Sequence, residues 1–323
     1  MLKKVLKEIL NKVPIFLFCI VFISGYGALF GTENNTIGVG ILTTLLIFLK
    51  NDLGYQTTQA SLNMILCFLI IAFGPKLAFI NPVFGILINF ICISVLLLLS
   101  SHDISQGNHI PFLLTYIFAQ GADVSGILYR NRVISLLVGG ILVATIYYLT
   151  HKNITHKRTV RDLIKESNLS SIRTKWYAKL TISLTLIMFL GDAFHYPKTM
   201  WISFTVLSLL QPFHKEHRER SIYRVPATLI GSFLFVLLFQ FVIPLEHQSV
   251  VALIAGFASM FIQSYPLKTA FNSFNALFAA CIFFTPINAF LLRVISNIIG
   301  AIYSRFMDYI LTHSLKRFSA DAA

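Results

Sequence analysis

The chain has 323 residues, of which 56% are hydrophobic and only 12% charged, and it carries a net charge of +13. A soluble globular protein is roughly a quarter charged. A chain this apolar cannot cover its own surface with polar groups, so its solvent must be the bilayer. The positive charge does not point to nucleic acid. It sits in "MLKKVLKEILNK" at the start, "HKNITHKRTVRDLIKESNLSSIRTK" in the middle, "HKEHRERSIYR" at 214–224 and "LKRF" near the end. These are short stretches beside apolar runs, where cytoplasmic loops concentrate Lys and Arg.

In chain order, the apolar runs predict helices over 14–30, 36–49, 58–74, 83–99, 110–122 and 132–150. A basic, polar linker follows over 151–175, and then helices over 176–190, 198–211, 222–243, 248–262, 269–284 and 289–312. The first twelve residues look like a signal-peptide n-region, but no small-residue cleavage site follows, so 14–30 reads as a retained helix. Some runs reach the roughly 17–25 residues that cross hydrocarbon. The runs at 36–49 and 199–210 are shorter and need local thinning or burial in a bundle. Proline falls mostly between the runs, which supports the boundaries. Cys19, Cys67, Cys92 and Cys281 all lie in apolar sequence without metal-ligand spacing and read as small core residues.

The expected fold is therefore an all-α polytopic membrane protein of about 12 transmembrane helices, built as two parallel six-helix repeats. The repeats are drawn at 1–150 and 176–323, with the cytoplasmic linker 151–175 between them. This reading puts the protein in the plasma membrane with both termini in the cytoplasm. Internal similarity carries the repeat. "RVISLLVG" begins at Arg132 and "RVISNIIG" at Arg293, "YYLTH" at 147–151 answers "YILTH" at 309–313, and "NTIGVGILTTLL" at 35–46 resembles "KTMWISFTVLSLL" at 198–210. An even number of spans per half makes the halves parallel, about an axis along the membrane normal. A third octet, "RVPATLIG", begins at Arg224. Seven residues turn an α-helix through 700°, so each glycine returns to within about 20° of its arginine. Gly139, Gly231 and Gly300 are thus expected as close-packing positions, with the arginines on the same protein-facing stripe.

The stretch "HYPKTMWISFTVLSLLQPFHKEHRERSIYRVPATLIGSFL" at 195–234 resembles the signature of the FUSC (fusaric acid resistance and aromatic acid exporter) superfamily. That signature is a Trp-led short helix ending in Gln-Pro, a polar turn, and an arginine-led helix running into Gly-Thr-Leu-x-Gly. Trp201, Gln211, Pro212, Arg224, Thr228, Leu229 and Gly231 match it, while Ala227 stands where the family has its first glycine. "HIPFLLTYIFAQGADVSGILYRNRVISLLVGG" at 109–140 is similar to short members from Gram-positive bacteria. The resemblance implies secondary efflux of aromatic or other organic acids driven by the proton gradient.

On that reading Arg132, Arg293 and Arg224, with Trp201 and Gln211 of the signature, form the expected substrate-binding set. Guanidinium suits a carboxylate because its fork matches both oxygens. The simpler alternative for Arg132 and Arg293 is an end-anchored arginine, with Arg132 paired to Asp123 across the turn. For Arg224 it is a topology-setting loop charge. Arg132 and Arg293 are expected near the outer helix ends, and Arg224 at the inner edge. Asp123, in the broken run "FAQGADVSG", is the proton-coupling candidate, since irregular backbone at membrane depth belongs beside a cavity. His195 and Asp192 in "GDAFHYPK" read as a solvated loop.

No nucleotide-binding loop, zinc spacing or nucleophile–base motif is present in the sequence. No enzyme activity, cofactor or metal is expected. The expected partners are membrane lipid and a small organic anion, not nucleic acid, and the reading admits a homo-oligomer. The alternative function is a non-transporting scaffold or accessory subunit of cell-envelope biogenesis.

Overall fold

The computed structural model describes residues 2–168 and 171–320, and among them there are helices and no strands. The helices are α1 (Leu2–Phe30), α2 (Asn35–Phe48), α3 (Thr57–Ala78), α4 (Pro82–Ser100), α5 (Ile110–Gln120), α6 (Gly126–His151), α7 (Val160–Lys165) and α8 (Ile172–Ala193). After these come α9 (Thr199–Leu209), α10 (His214–Val236), α11 (Leu245–Ser259), α12 (Tyr265–Ala280) and α13 (Pro286–Ala320). A π-helical segment, Leu237–Val242, continues α10. Every apolar run of the sequence is a helix, and the linker adds the short α7.

Six of these helices have spans long and apolar enough to cross a membrane: Lys7–Phe30, Thr57–Ala78, Pro82–Ser100, Gly126–His151, Lys215–Val242 and Pro286–Ser314. The protein is a multi-pass, all-helical membrane protein. The remaining apolar helices are short. At about 1.5 Å per residue, α5 and α9, with 11 residues each, rise only about 16 Å.

Local chemistry sets the boundaries. Asn81 caps α4, its Oδ1 accepting from the backbone N–H of Val83, with Pro82 in the first turn. Thr159 and Asp162 form a reciprocal capping box on α7. Pro111 and Pro266 occupy the first turns of α5 and α12, where a missing N–H costs nothing.

The chain divides into two compact units, Val13–Tyr196 with Ser314–Ala323, and Pro197–His313 with Met1–Lys12. In the first unit α3 lies against α6 and α4, and α2 against α5 and α6. Its core includes Ile37, Ile41, Phe48, Phe68, Ile93, Leu97, Phe112, Tyr116, Leu180 and Leu184. α8, which the sequence places in the second repeat, packs along α4 in this unit. Sequence similarity marks the order of helices, whereas packing follows whichever apolar faces fit.

The linker folds back onto this unit. His156 Nε2 lies 2.6 Å from Asp52 Oδ2, Val160 N–H donates to Gln59 Oε1, and Gln56 N–H donates to the Arg158 carbonyl. These contacts, with Asn108 Nδ2 of the loop after α4 donating to the Asp52 carbonyl, gather the loops after α2 and α4 and the linker at one end of the unit, here called the linker end. In the second unit α10 lies along α12, around a core of Trp201, Phe235, Phe239, Phe274 and Leu277.

Candidate functional site

The second unit sets a buried arginine, Arg293, beside a half-buried one, Arg224. Arg293 stands two turns inside α13 and is 5% exposed; its guanidinium lies over the Trp201 ring of α9, Cζ 5.0 Å from the centroid. Arg224 on α10 donates from Nε to Asn297 Oδ1 at 3.2 Å and from Nη1 to Ser208 Oγ at 3.2 Å. The two guanidinium groups are within electrostatic reach of each other. Among the described residues, neither has a carboxylate at ion-pair distance.

Asn297 joins the cluster. It lies four residues after Arg293 on the same face of α13, and its Nδ2 donates to the Arg293 carbonyl at 2.9 Å. Its Oδ1 accepts from Arg224 Nε, from Thr205 Oγ1 at 3.0 Å and from Thr228 Oγ1 at 3.2 Å. A carbonyl oxygen has two lone pairs, which Arg224 Nε and Thr228 Oγ1 can fill, while the single Thr205 proton is shared between Asn297 and the Trp201 carbonyl at 3.1 Å. Arg293 Nε is buried with no partner at all. The site holds more donors than acceptors and two positive charges without a counter-charge. Such a site is chemically complementary to an anion with several oxygens.

Residues 186–307 match the family model described as fusaric acid resistance protein-like. That segment is similar to the FUSC family. No curated protein and no solved structure matches the chain. The FUSC segment contains Trp201, Thr205, Ser208, Arg224, Thr228, Arg293 and Asn297, the whole of the donor-rich cluster.

The structure brings Arg224, Arg293 and Trp201 of the expected set together, although the sequence reading put Arg293 near an outer helix end and Arg224 at the inner edge. The difference comes from helix length. α13 begins at Pro286 and α10 at His214, so both arginines sit well inside their helices. Gln211 is not drawn into the cluster. Its Nε2 donates back to the carbonyls of Leu207 and Ser208 at 3.1 Å each, closing the end of α9.

Arg132 belongs to the first unit and lies outside the FUSC match. It is 4% exposed, donates from Nε to Asn34 Oδ1 at 2.8 Å, and from Nη1 to the carbonyl of Ala122 at 2.6 Å; its Nη2 has no partner. The expected pairing with Asp123 across the turn gives way to a different one. Asp123 Oδ1 holds Lys76 Nζ at 2.8 Å, and Lys76 also donates to the Val124 carbonyl. Arg132, Lys76, Asp123 and Tyr129 line a cavity of about 10 Å³, the room one water needs. As it stands, that space does not hold an organic anion.

The three octet glycines leave little room for a side chain. A Cβ at Gly139 would meet Ile41 of α2, one at Gly300 would meet Thr205 and the Ile202 carbonyl of α9, and one at Gly231 would meet the Ala270 carbonyl of α12. Asn297, Thr205 and Ser208 were not found from sequence. Asn297 was legible in principle, since it sits inside "RVISNIIG" on the arginine's face. Thr205 and Ser208 carry no signal apart from their place on α9.

Proposed function

We propose that the protein is a secondary exporter of organic-acid anions, aromatic acids foremost, and that the anion binds where Arg224, Arg293 and Trp201 meet. The observation that carries this reading is the pair of arginines, Arg293 buried and Arg224 half-buried, with no carboxylate at ion-pair distance among the described residues and with Arg293 Nε unpartnered. A mid-membrane arginine costs about 2.5–3.5 kcal/mol on insertion scales, and a cluster that raises this cost without an internal carboxylate suits a ligand that brings one. The Trp201 face supplies an aromatic wall, and similarity to the FUSC family supports transport across a membrane.

The reading includes two parallel six-helix repeats, 1–150 and 176–323 about the linker 151–175. The octets led by Arg132 and Arg293 support it by placing both arginine and glycine against a short helix: Arg132 reaches Asn34 at the head of α2 and Gly139 meets α2, while Arg293 and Gly300 meet α9. Basic segments at both termini and in the linker support a cytoplasmic placement of these parts in the plasma membrane. Export of an acid anion is coupled to inward proton movement, so that the gradient supplies the work.

Proteoliposomes carrying the full chain test this. Benzoate is expected to accumulate in response to a pH gradient, and the double variant Arg224→Ala with Arg293→Ala is expected to lose that flux. Wild-type flux in the double variant removes the arginines from the path; no gradient-dependent flux in the wild type removes transport. Binding can be followed separately, because Trp201 and Trp176 are the two tryptophans of the sequence. With Trp176→Phe in place, benzoate should change Trp201 fluorescence saturably.

A further inference from the structure

α8 carries a polar line that neither the arginine cluster nor Arg132 uses. Thr174, Thr181, Thr185 and Asp192 are spaced so that, at 100° per residue, all four fall within about 20° of one line along the helix. Thr181 and Thr185 are 1% and 2% exposed, and the hydroxyls of Thr174, Thr181 and Thr185 are buried without a hydrogen-bond partner. A helical Ser or Thr ordinarily returns its hydroxyl to the carbonyl one turn back, as Thr44, Ser61, Thr115 and Ser304 do in this protein. A sealed hydroxyl that does not do so is costly unless something polar meets it.

One end of the line neighbours a charged residue in sequence, and the other ends on a carboxylate. At the linker end Thr174 follows Arg173, whose Nη1 lies 2.6 Å from His102 Nδ1, on an open cavity of about 470 Å³ lined by His102, Asp103, Glu166 and Arg173. At the far end Asp192 Oδ2 accepts from Gln120 Nε2 at 3.1 Å. Gln120 is 6% exposed, and its Oε1 has no partner. Gln120 from α5 and His195 from the following turn are the groups that face Asp192. α4, packed along α8, bears no charged residue, and its one titratable side chain, Cys92, turns to Gly74 and Tyr116. From Thr174 to Asp192 the line runs about 27 Å, close to the roughly 30 Å of a hydrocarbon core.

We propose that this line is a hydrated proton route through the first unit, and that Asp192 is the carboxylate that takes up and releases the proton. The assignment rests on the proton-coupled reading of the preceding subsection and replaces Asp123, which is tied to Lys76. Hydronium gives its proton to the Asp192 carboxylate and leaves water, and the carboxylic acid later passes a proton to the next water of the line and returns to carboxylate. Along the line each hydroxyl gives up one proton as it accepts the next, so no covalent change remains after passage. The proton leaves through the cavity beside His102 and Glu166.

Two measurements test it. In a chain with Cys19, Cys67, Cys92 and Cys281 changed to Ala, single Thr181→Cys and Thr185→Cys are treated with a small water-soluble methanethiosulfonate. Modification is expected there and not at Leu180→Cys or Leu184→Cys, which replace side chains that are 0% exposed. Unreactive cysteines at 181 and 185 overturn the route whatever the transport assay shows. In proteoliposomes, Asp192→Asn is expected to lose pH-gradient-driven benzoate accumulation while keeping benzoate exchange, and Asp192→Glu to recover accumulation. Wild-type accumulation by Asp192→Asn, or loss of exchange as well, overturns the role of Asp192. A wild type that moves no benzoate overturns the transport reading instead, and the cysteine result still decides whether the line is wet.

Discussion

Arg293 is the residue whose chemistry is hardest to explain by packing alone. Its guanidinium is buried over Trp201, close to a second arginine, with Nε unpartnered. A buried charge without a partner carries an uncompensated desolvation cost, which an apolar side chain of similar volume removes. Arg293→Met is therefore expected to hold or raise the melting temperature in detergent while abolishing the benzoate response of Trp201. A clear fall in melting temperature would make the arginine a structural residue. The sequence pointed at Arg293 because a charge in apolar sequence stands out. Asn297, four residues on, is uncharged and drew no notice, yet it is the group on which donors from α9 and α10 converge. A polar residue of this kind acquires its meaning only from what other helices bring to it.

At the scale of elements, the octet glycines are alike in sequence and unlike in what they touch. A Cβ at Gly139 would press on the flexible end of Ile41, at 2.6 Å from Cδ1. At Gly300 it would meet Thr205 Cβ at 2.7 Å and the Ile202 carbonyl at 3.1 Å, and at Gly231 it would run into the carbonyl of Ala270. Side chains can turn aside and backbone cannot, so the costs should rank Gly231→Ala, then Gly300→Ala, then Gly139→Ala. Overpacking costs about 1–3 kcal/mol, and the first of these is expected at the upper end. Thermal unfolding of the three variants checks the order, and Gly139→Ala as the most damaging would contradict it. The helices themselves were legible run by run, since length and hydropathy are local properties. The starts of α6 and α13 were not, because Gly126 and Pro286 lie several residues before the apolar runs on which they were drawn. That shift carries Arg132 and Arg293 from helix ends to helix interiors.

Across the first unit, Asp52 ties together parts distant in the chain. It lies in the loop after α2 and receives Tyr147 Oη of α6 at 2.8 Å and the backbone N–H of Gly54 at 2.9 Å, with His156 of the linker at 2.6 Å. Burial pushes its carboxyl up, but the hydrogen bonds from His156, Gly54 and Tyr147 outweigh that and hold it below the ordinary carboxylate range. A carboxyl lowered in the folded state contributes stability that is complete above its unfolded value, near 3.9, and is lost as pH falls through the folded value. Acid below about pH 4 should therefore release the linker from the α2–α3 loop, read as faster proteolysis within 151–171. Asp52→Asn should show the faster cleavage already at neutral pH, with less further change on acidification.

Composition alone decided that this protein lives in a bilayer, because too few polar residues exist to hydrate its surface. Local pattern decided where its helices run, and repetition marked the arginines and glycines as recurring parts. Which helices share a unit, that α8 lies along α4, and that Arg224, Arg293, Trp201 and Asn297 face one another were decided only by tertiary packing. The reason is physical. Hydropathy records what each segment avoids, whereas contact depends on the shapes and donors that distant segments present to one another.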